Sequence, residues 1–333
     1  MIIISARMKF IDSDQVRINI NKAASKQVPF FFTVDYEMSE GLFVKNPTSQ
    51  TEMLFQFNGK GNKPLELAAS STKAEMLTNP ISKEVYKSKF EIIQKGLNSG
   101  EIEVANLTIK TPIETNIGCR EIFQRSQSPY QIYIPGKYVS FSPERFVKIE
   151  GGKISSTPMK GTIDASIANA EQKILNDPKE INELSAVTQV VVKELGSVAN
   201  NVYVKQDRYI DKIESLNRTL LQVSAEVEGE LPNDYLSHMG DILFSLLPAA
   251  SITGSPKTKA KEYIRLSEDD PRGYYCGIAG YFDGTQLDTA VLIRLIETDG
   301  DSLFFRSGGG ITRNSVCENE YQEALNKIYF PFI

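Results

Sequence analysis

The stretch GYYCGIAGYFDGTQLDTAVLIRLIETDGDSLFFRSGGGITRNS, residues 273–315, decides the fold. Its β-forming runs are interrupted at Asp283-Gly284 and again at Asp299-Gly300. Asp-Gly between apolar runs is a strong hairpin signal, because glycine accepts the positive φ of a tight turn. Hairpins join antiparallel neighbours. Working outward, residues 130–162 (YQIYIPGKYVSFSPERFVKIEGGKISSTPMKGT) look like a meander of short strands around Pro-Gly and Gly-Gly turns. EIEVANLTIKTPI (101–113), PFFFTVDYE (29–37) and MKFIDSDQVRINI (8–20) read as further strands. SQTEMLFQFNGKGNKPLE (49–66) is strand-like until Gly59, Gly61 and Pro64 break it. Helices interleave singly. Residues 82–101 show helical apolar spacing and stop at Asn98-Ser99-Gly100. In 177–196, Asp177 serves as N-cap, Pro178 opens the helix, and Leu184, Val187, Val191 and Leu195 make one stripe. Residues 234–268 read as helix, loop, helix, and 317–330 as a last helix, while 202–231 mixes both signals. The pattern predicts an α+β protein with large antiparallel sheets. With no linker or low-complexity tract, it reads as one domain, 1–333, with a short N-terminal strand region over about 1–80.

Composition narrows the function. The chain has 333 residues, 41 % hydrophobic and 24 % charged, which suits a protein with a sizeable core. A net charge of −5 without a dense Lys/Arg face argues against nucleic acid. No window of about 18 apolar residues suggests a membrane span. The start lacks the basic and long apolar regions of a secretion signal, so a cytoplasmic protein is expected. The sequons at Asn106 and Asn217 then read as chance. Three separated cysteines form neither a disulfide framework nor a zinc pattern. The single histidine, His238, excludes a multi-histidine metal site. Acid–base chemistry must rest on Lys, Glu, Asp or Tyr.

Several residues offer such chemistry. Lys160, in STPMKGTID, sits between Pro158 and Gly161 in what reads as a shaped turn; it is either a solvated charge or a nucleophile held in a cleft. Glu180 and Glu183 open one helix, and Glu320 and Glu323 lie on the last. Residues three apart share a helix face, so each pair can aim two carboxylates one way. Four such oxygens without histidine fit Mg²⁺, although acidic residues also suit helix N-termini. Glu318, three residues after Ser315, is the better cap of the last helix. Gly308, Gly309 and Gly310, between a strand and that helix, can expose N–H groups to an anion. PAASITGSPKTKAKE, with Lys257, fails the phosphate-loop spacing. Arg294, in an otherwise apolar strand, needs an anionic partner, from the protein or from a substrate. Tyr275 can add a hydroxyl donor; Glu144, in SFSPERF, is unremarkable alone. Together they are equipment for a small polycarboxylate from which a group is expelled by acid catalysis.

The motifs SFSPERF, PMKGT, SITGSPK, GYYCGIAGYF, SGGGI and ENEYQEALNK resemble, in order and spacing, those of the chorismate-utilising enzymes, over roughly residues 85 to 330. SGEIEVANLT resembles their N-terminal strand motif. Lysine in PMKGT looks like component I of aminodeoxychorismate synthase rather than anthranilate synthase, which usually has alanine there. The resemblance implies a four-layer α-β-β-α core of two large antiparallel sheets with helices outside. It implies Lys160 as covalent nucleophile and Glu144 as general acid. Glu183 and Glu323 would hold Mg²⁺, with Glu180 and Glu320 in or near its shell. Gly308, Gly309 and Gly310 would meet the ring carboxylate, Arg294 and Tyr275 the enolpyruvyl carboxylate; Thr253 would line the pocket and Lys327 reach the same anion. Ammonia would come from a separate glutamine amidotransferase subunit. The chain departs from the family where Gln189, Val192, Lys193 and Glu194 replace Asp, Arg, Asn and Asp, and where Gln222 replaces a histidine. Alternatives are anthranilate or isochorismate formation, against which Lys160 argues, and a chorismate-binding homologue that has lost catalysis.

Overall fold

The computed structural model describes residues 8–64, 73–214 and 219–332. The opening run at 1–7 and Asn217 lie outside them. Both expected hairpins form. Ile278–Phe282 pairs with Gln286–Val291, and Leu295–Asp299 with Ser302–Thr312, each antiparallel. Gly284 and Gly300 take φ of +104° and +58° in the two turns. The hairpins belong to different sheets, so residues 292–294 carry the chain from one sheet to the other.

Among the described residues the first sheet has ten strands, all antiparallel. Ile11–Asp12, Glu40–Lys45, Phe30–Val34, Ile278–Phe282, Gln286–Val291, Arg145–Glu150, Lys153–Ser156, Thr219–Glu230 and Met159–Asp164 follow one another, and Asn200–Glu214 pairs with Thr219–Glu230. The second has nine: Gly254–Ser255, Val104–Thr115, Ser302–Thr312, Leu295–Asp299, Tyr138–Ser142, Tyr130–Ile134, Leu54–Phe57 and Lys60–Gly61, with Met76–Thr78 beside Val104–Thr115. The mixed segment 202–231 is therefore mostly one long hairpin. The helices are α1 (Ser13–Ala24), α2 (Lys83–Ser99), α3 (Cys119–Arg125), α4 (Ala170–Leu175), α5 (Pro178–Leu195), α6 (Met239–Ser245), α7 (Lys257–Ser267) and α8 (Cys317–Asn326).

α1 corrects the strand expected over 8–20. Val16, Ile18 and Ile20 alternate like a strand, but Val16, Ile20, Ala23 and Ala24 are the buried set, and their spacing is helical. Asp12 caps the helix by accepting the Asp14 N–H.

The sheets pack face to face. Phe31 of the first meets Phe55 and Phe57 of the second at ring separations of 5.2 and 6.3 Å. Burying each such ring contributes about 1.5–3 kcal/mol. Helices α2, α7 and α8 cover Ala105, Leu107, Ile109 and Ile311 on the outer face of the second sheet, and α3 covers Val139 and Phe141. Helices α1 and α6 cover the first sheet from its own outer side. The expected α-β-β-α layering is present. Among the described residues no helix is long and apolar enough to cross a membrane.

One buried ion pair clamps this frame. Arg272, 1 % exposed, donates to Glu268 at 2.9 and 2.7 Å and to the carbonyls of Ile252 and Asn106 at 2.9 and 2.6 Å. Glu268 accepts the Thr108 N–H at 2.9 Å. Removing one partner of such a pair strands the other charge in the interior. Arg272→Met is expected to cost about 3–5 kcal/mol in urea unfolding, with part recovered in the Arg272→Met/Glu268→Gln double variant. A loss below about 1 kcal/mol would show that the pair is dispensable.

Candidate active site

Two of the places where the chain passes between the sheets are neighbours, and each carries a site residue. Glu144 lies between Tyr138–Ser142 of the second sheet and Arg145–Glu150 of the first, and Arg294 lies in the other crossing. The crossings are stitched together: Val291 N–H donates to the Glu144 carbonyl at 3.1 Å, and Phe141 N–H to the Arg294 carbonyl at 3.0 Å. This corrects Arg294 as a strand residue. Its φ is +51°, and it sits at a bend. Its guanidinium donates to the Lys327 carbonyl at 3.0 Å and lies over the Tyr329 ring at 5.1 Å. Tyr275 is buried beside the same crossing, where Cys276 N–H donates to the Leu292 carbonyl at 2.8 Å. Burial pushes its phenol up, and Arg294 is among the charges that pull it back.

Lys160 is in a strand, not the expected free turn. Met159–Asp164 pairs with Thr219–Glu230, and the register slips between Lys160 and Thr162. Gly161, at φ +64°, is the bulge that re-aims the strand. A Cβ on Gly161 would collide with Oε2 of Glu180, so that carboxylate packs directly against the bulge. Lys160 and Glu144 line one cavity of about 110 Å³ with Ser251, Val187, Val191 and Leu246. Half-buried Glu144 accepts the Ser251 hydroxyl at 2.8 Å. Burial pushes its carboxyl up; the Ser251 bond and the charges of Lys160, Lys327 and Arg294 pull it back without cancelling the shift. A carboxyl held above its usual range is suited to give a proton near neutral pH.

The glutamate pairs approach the cleft from two helices. Asp177 caps α5 by accepting the N–H groups of Lys179 and Glu180, as expected. Lys179 stands 3.6 Å from Glu183. On α8, Glu320, Glu323 and Lys327 converge on Gly309: a Cβ there would lie 3.8 Å from Oε2 of Glu320 and 3.4 Å from both Oε1 of Glu323 and Nζ of Lys327. The Lys327 ammonium sits 2.7 Å from Glu323 and donates to the Gly308 carbonyl at 2.7 Å. Burial raises Glu320, and Glu323 adds to it; burial raises Glu180, and Glu183 adds to it. Burial also acts on Glu323, but Lys327, Lys160 and Lys179 outweigh it and hold its carboxyl below the usual range. Among the described residues no three acidic, histidine or cysteine side chains gather closely enough to hold one ion. The donor set, four carboxylates and no histidine, fits a hard dication by chemistry. Glu318 is not the cap of α8; it pairs with Lys83, and Ser315 bonds Glu320 instead.

The glycine triplet is inside a strand, not after one. Gly308, Gly309 and Gly310 pair with Thr108, Leu107 and Asn106 beyond the end of Leu295–Asp299, so one edge there is open. The Gly308 carbonyl points to Lys327 on that edge. Alternation then turns the N–H groups of Gly308 and Gly310 the same way. Thr253 is fully buried, its carbonyl accepting the Asn106 N–H at 3.0 Å. Of the residues that depart from the family pattern, Glu194 lines the cavity and pairs with Lys257, and Gln222 stands opposite Thr162, next to the bulge. Sequence reasoning missed Ser251, although it lies two residues before Thr253, and Lys179, whose charge reaches both glutamate pairs.

Two packed antiparallel sheets with helices on their outer faces define an α+β scaffold, and Lys160 and Glu144 share one cavity within it. The chain belongs to the chorismate binding enzyme family, whose model matches residues 17–332. It is 40 % identical over 314 residues to an uncharacterized PabA-like protein of Pasteurella multocida, covering 93 % of this chain and 96 % of that one. It is 29 % identical to aminodeoxychorismate synthase component 1 of Klebsiella aerogenes over 79 % of this chain, which spans 60 % of that protein's length. Among solved structures it is similar to the menaquinone-specific isochorismate synthase MenF of Escherichia coli, with a TM-score of 0.73, 17 % identity, and coverage of 96 % of this chain and 82 % of that one.

Proposed function

We propose that the chain converts chorismate and ammonia into 4-amino-4-deoxychorismate and water. The observation that carries this reading is Lys160 beside Glu144 in one cavity. The neutral Lys160 amine forms a C–N bond to the ring as the C4–O bond breaks. The electron pair leaves with the hydroxyl oxygen, which takes the Glu144 proton and departs as water. The new secondary ammonium returns a proton to Glu144. Ammonia then forms the C4–N bond as the Lys160–carbon bond breaks, and a proton passes from the new ammonium to the lysine. Arg294 and Tyr275 hold the enolpyruvyl carboxylate; Gly308 and Gly310 offer N–H groups to the ring carboxylate, while Gly309, whose N–H faces Leu107, leaves room by having no Cβ; Lys327 stands beside them and Thr253 packs behind the site. Glu183 and Glu323, with Glu180 and Glu320, would hold Mg²⁺, which supplies positive charge for the ring carboxylate. The 29 % identical relative named as component 1 of aminodeoxychorismate synthase supports this choice among chorismate reactions.

Ammonia in this reading comes from a separate glutamine amidotransferase subunit. The purified chain, given chorismate and Mg²⁺, is expected to form product with ammonium salts and not with glutamine, as read by mass spectrometry. Adding an amidotransferase subunit is expected to confer glutamine use. Robust glutamine use by the single chain, or anthranilate or isochorismate as the product, would overturn the reading.

A further inference from the structure

The Ser251 hydroxyl donates to Oε1 of Glu144 at 2.8 Å. We propose that Ser251 is the positioning residue of Glu144: by holding Oε1 it leaves Oε2 to carry the proton and fixes the direction in which that proton is offered. The inference rests on the reading of Glu144 as general acid.

An exposed serine that meets a carboxylate is often a chance contact, because its hydroxyl turns freely and water competes for it. Ser251 is exposed, but its backbone is not free. It lies in the short turn Ala250–Ile252, and that turn is tied down on both sides. On one side the Ile252 carbonyl accepts from Arg272 at 2.9 Å, and the next carbonyl, that of Thr253, accepts from Asn106 N–H at 3.0 Å. On the other, Lys257 donates to the Leu246 carbonyl at 2.8 Å and pairs with Glu194, whose side chain is 19 % exposed. A hydroxyl has one proton to give, and here the carboxylate receives it. A bond from a tethered neighbour holds a reacting group within the narrow range that catalysis needs.

The sign of the effect follows from the bond. A donor to a carboxylate favours its ionised form. Lys160, Lys327 and Arg294 do the same, while Glu194 and Arg145 line the same cavity and the Cys276 thiol faces this region. Without Ser251, Glu144 titrates at higher pH and loses its fixed orientation.

The test titrates the protonated carboxyl band by infrared difference spectroscopy against Glu144→Gln, in the wild type, Ser251→Ala and Ser251→Thr. Ser251→Ala is expected to move the midpoint to higher pH and Ser251→Thr to restore it. With chorismate and ammonium, Ser251→Ala is expected to lower kcat about tenfold, leave KM within about twofold, and carry the alkaline fall in rate to higher pH. An unmoved midpoint overturns the proposal. So does a raised KM with intact kcat, which would make Ser251 a substrate contact. A moved midpoint in a protein that does not consume chorismate sustains the Ser251–Glu144 coupling and overturns the assigned reaction instead.

Discussion

Lys160→Ala is expected to lower the rate of 4-amino-4-deoxychorismate formation by about 10²–10⁴-fold, the usual weight of a positioned side chain acting on the reacting atoms. The prediction follows from where the bulge at Gly161 sends the strand. A lysine on a regular strand would alternate with its neighbours. The register slip between Lys160 and Thr162 lets Lys160 line the cavity that also holds Glu144. To attack carbon, the amine must be neutral and close to the ring. The charge of Lys160 acts on Glu144, Glu180 and Glu323, which sets it among the carboxylates that would hold a dication. A bound dication would offset the negative charge around the amine and hold the substrate against it. Any chorismate-derived mass adduct trapped on the wild-type protein should therefore require Mg²⁺ and vanish in Lys160→Ala. Some turnover can survive in the variant if ammonia attacks the ring directly. An unchanged rate would return Lys160 to a solvated charge on a strand.

The hairpins were legible because two-residue turns demand particular residues, and Asp-Gly meets the demand twice. Helix α5 was legible for the same reason at its start, where Asp177 accepts the orphan N–H groups of Lys179 and Glu180 and Pro178 has none to satisfy. What local pattern could not reveal was a change of sheet. TAVLIRLIE contains no glycine or proline and reads as one strand, yet Arg294 is where it breaks. The break is imposed by pairing: Val291 is opposite Ile278 in one sheet, and Leu295 is opposite Ser140 in the other. α1 failed for a related reason. Alternation and helical spacing coexist in VRINI, and only the packing of Val16 and Ile20 on the first sheet chooses between them. Among site residues, those in distinctive motifs were legible as candidates. Ser251 and Lys179 were not, because their importance lies in which charges surround them, and that is a property of the folded chain.

Glu323→Gln is expected to abolish Mg²⁺-dependent turnover, a loss of about 10²-fold or more, while the protein stays folded. Amide replaces carboxylate at almost constant shape, so the change removes one negative ligand and little else. Folding should tolerate it. The carboxyl is held below its usual range by Lys327, Lys160 and Lys179, so its ionised form contributes stability at neutral pH and loses that contribution as pH falls through the folded pKa. The side chain is 56 % exposed, and solvent screens most of this, leaving an expected cost of about 1 kcal/mol or less. The difference between wild type and variant in urea unfolding should therefore shrink on acidification. Binding provides the second readout. Calorimetric titration should show Mg²⁺ binding to the wild type with chorismate present and a weaker or absent heat for Glu323→Gln. Glu183→Gln should behave alike if α5 and α8 serve the same ion, since each supplies one pair of glutamates to the cleft. A Glu183→Gln variant that keeps full Mg²⁺ affinity while Glu323→Gln loses it would place the ion on α8 alone, beside Gly309 and Lys327.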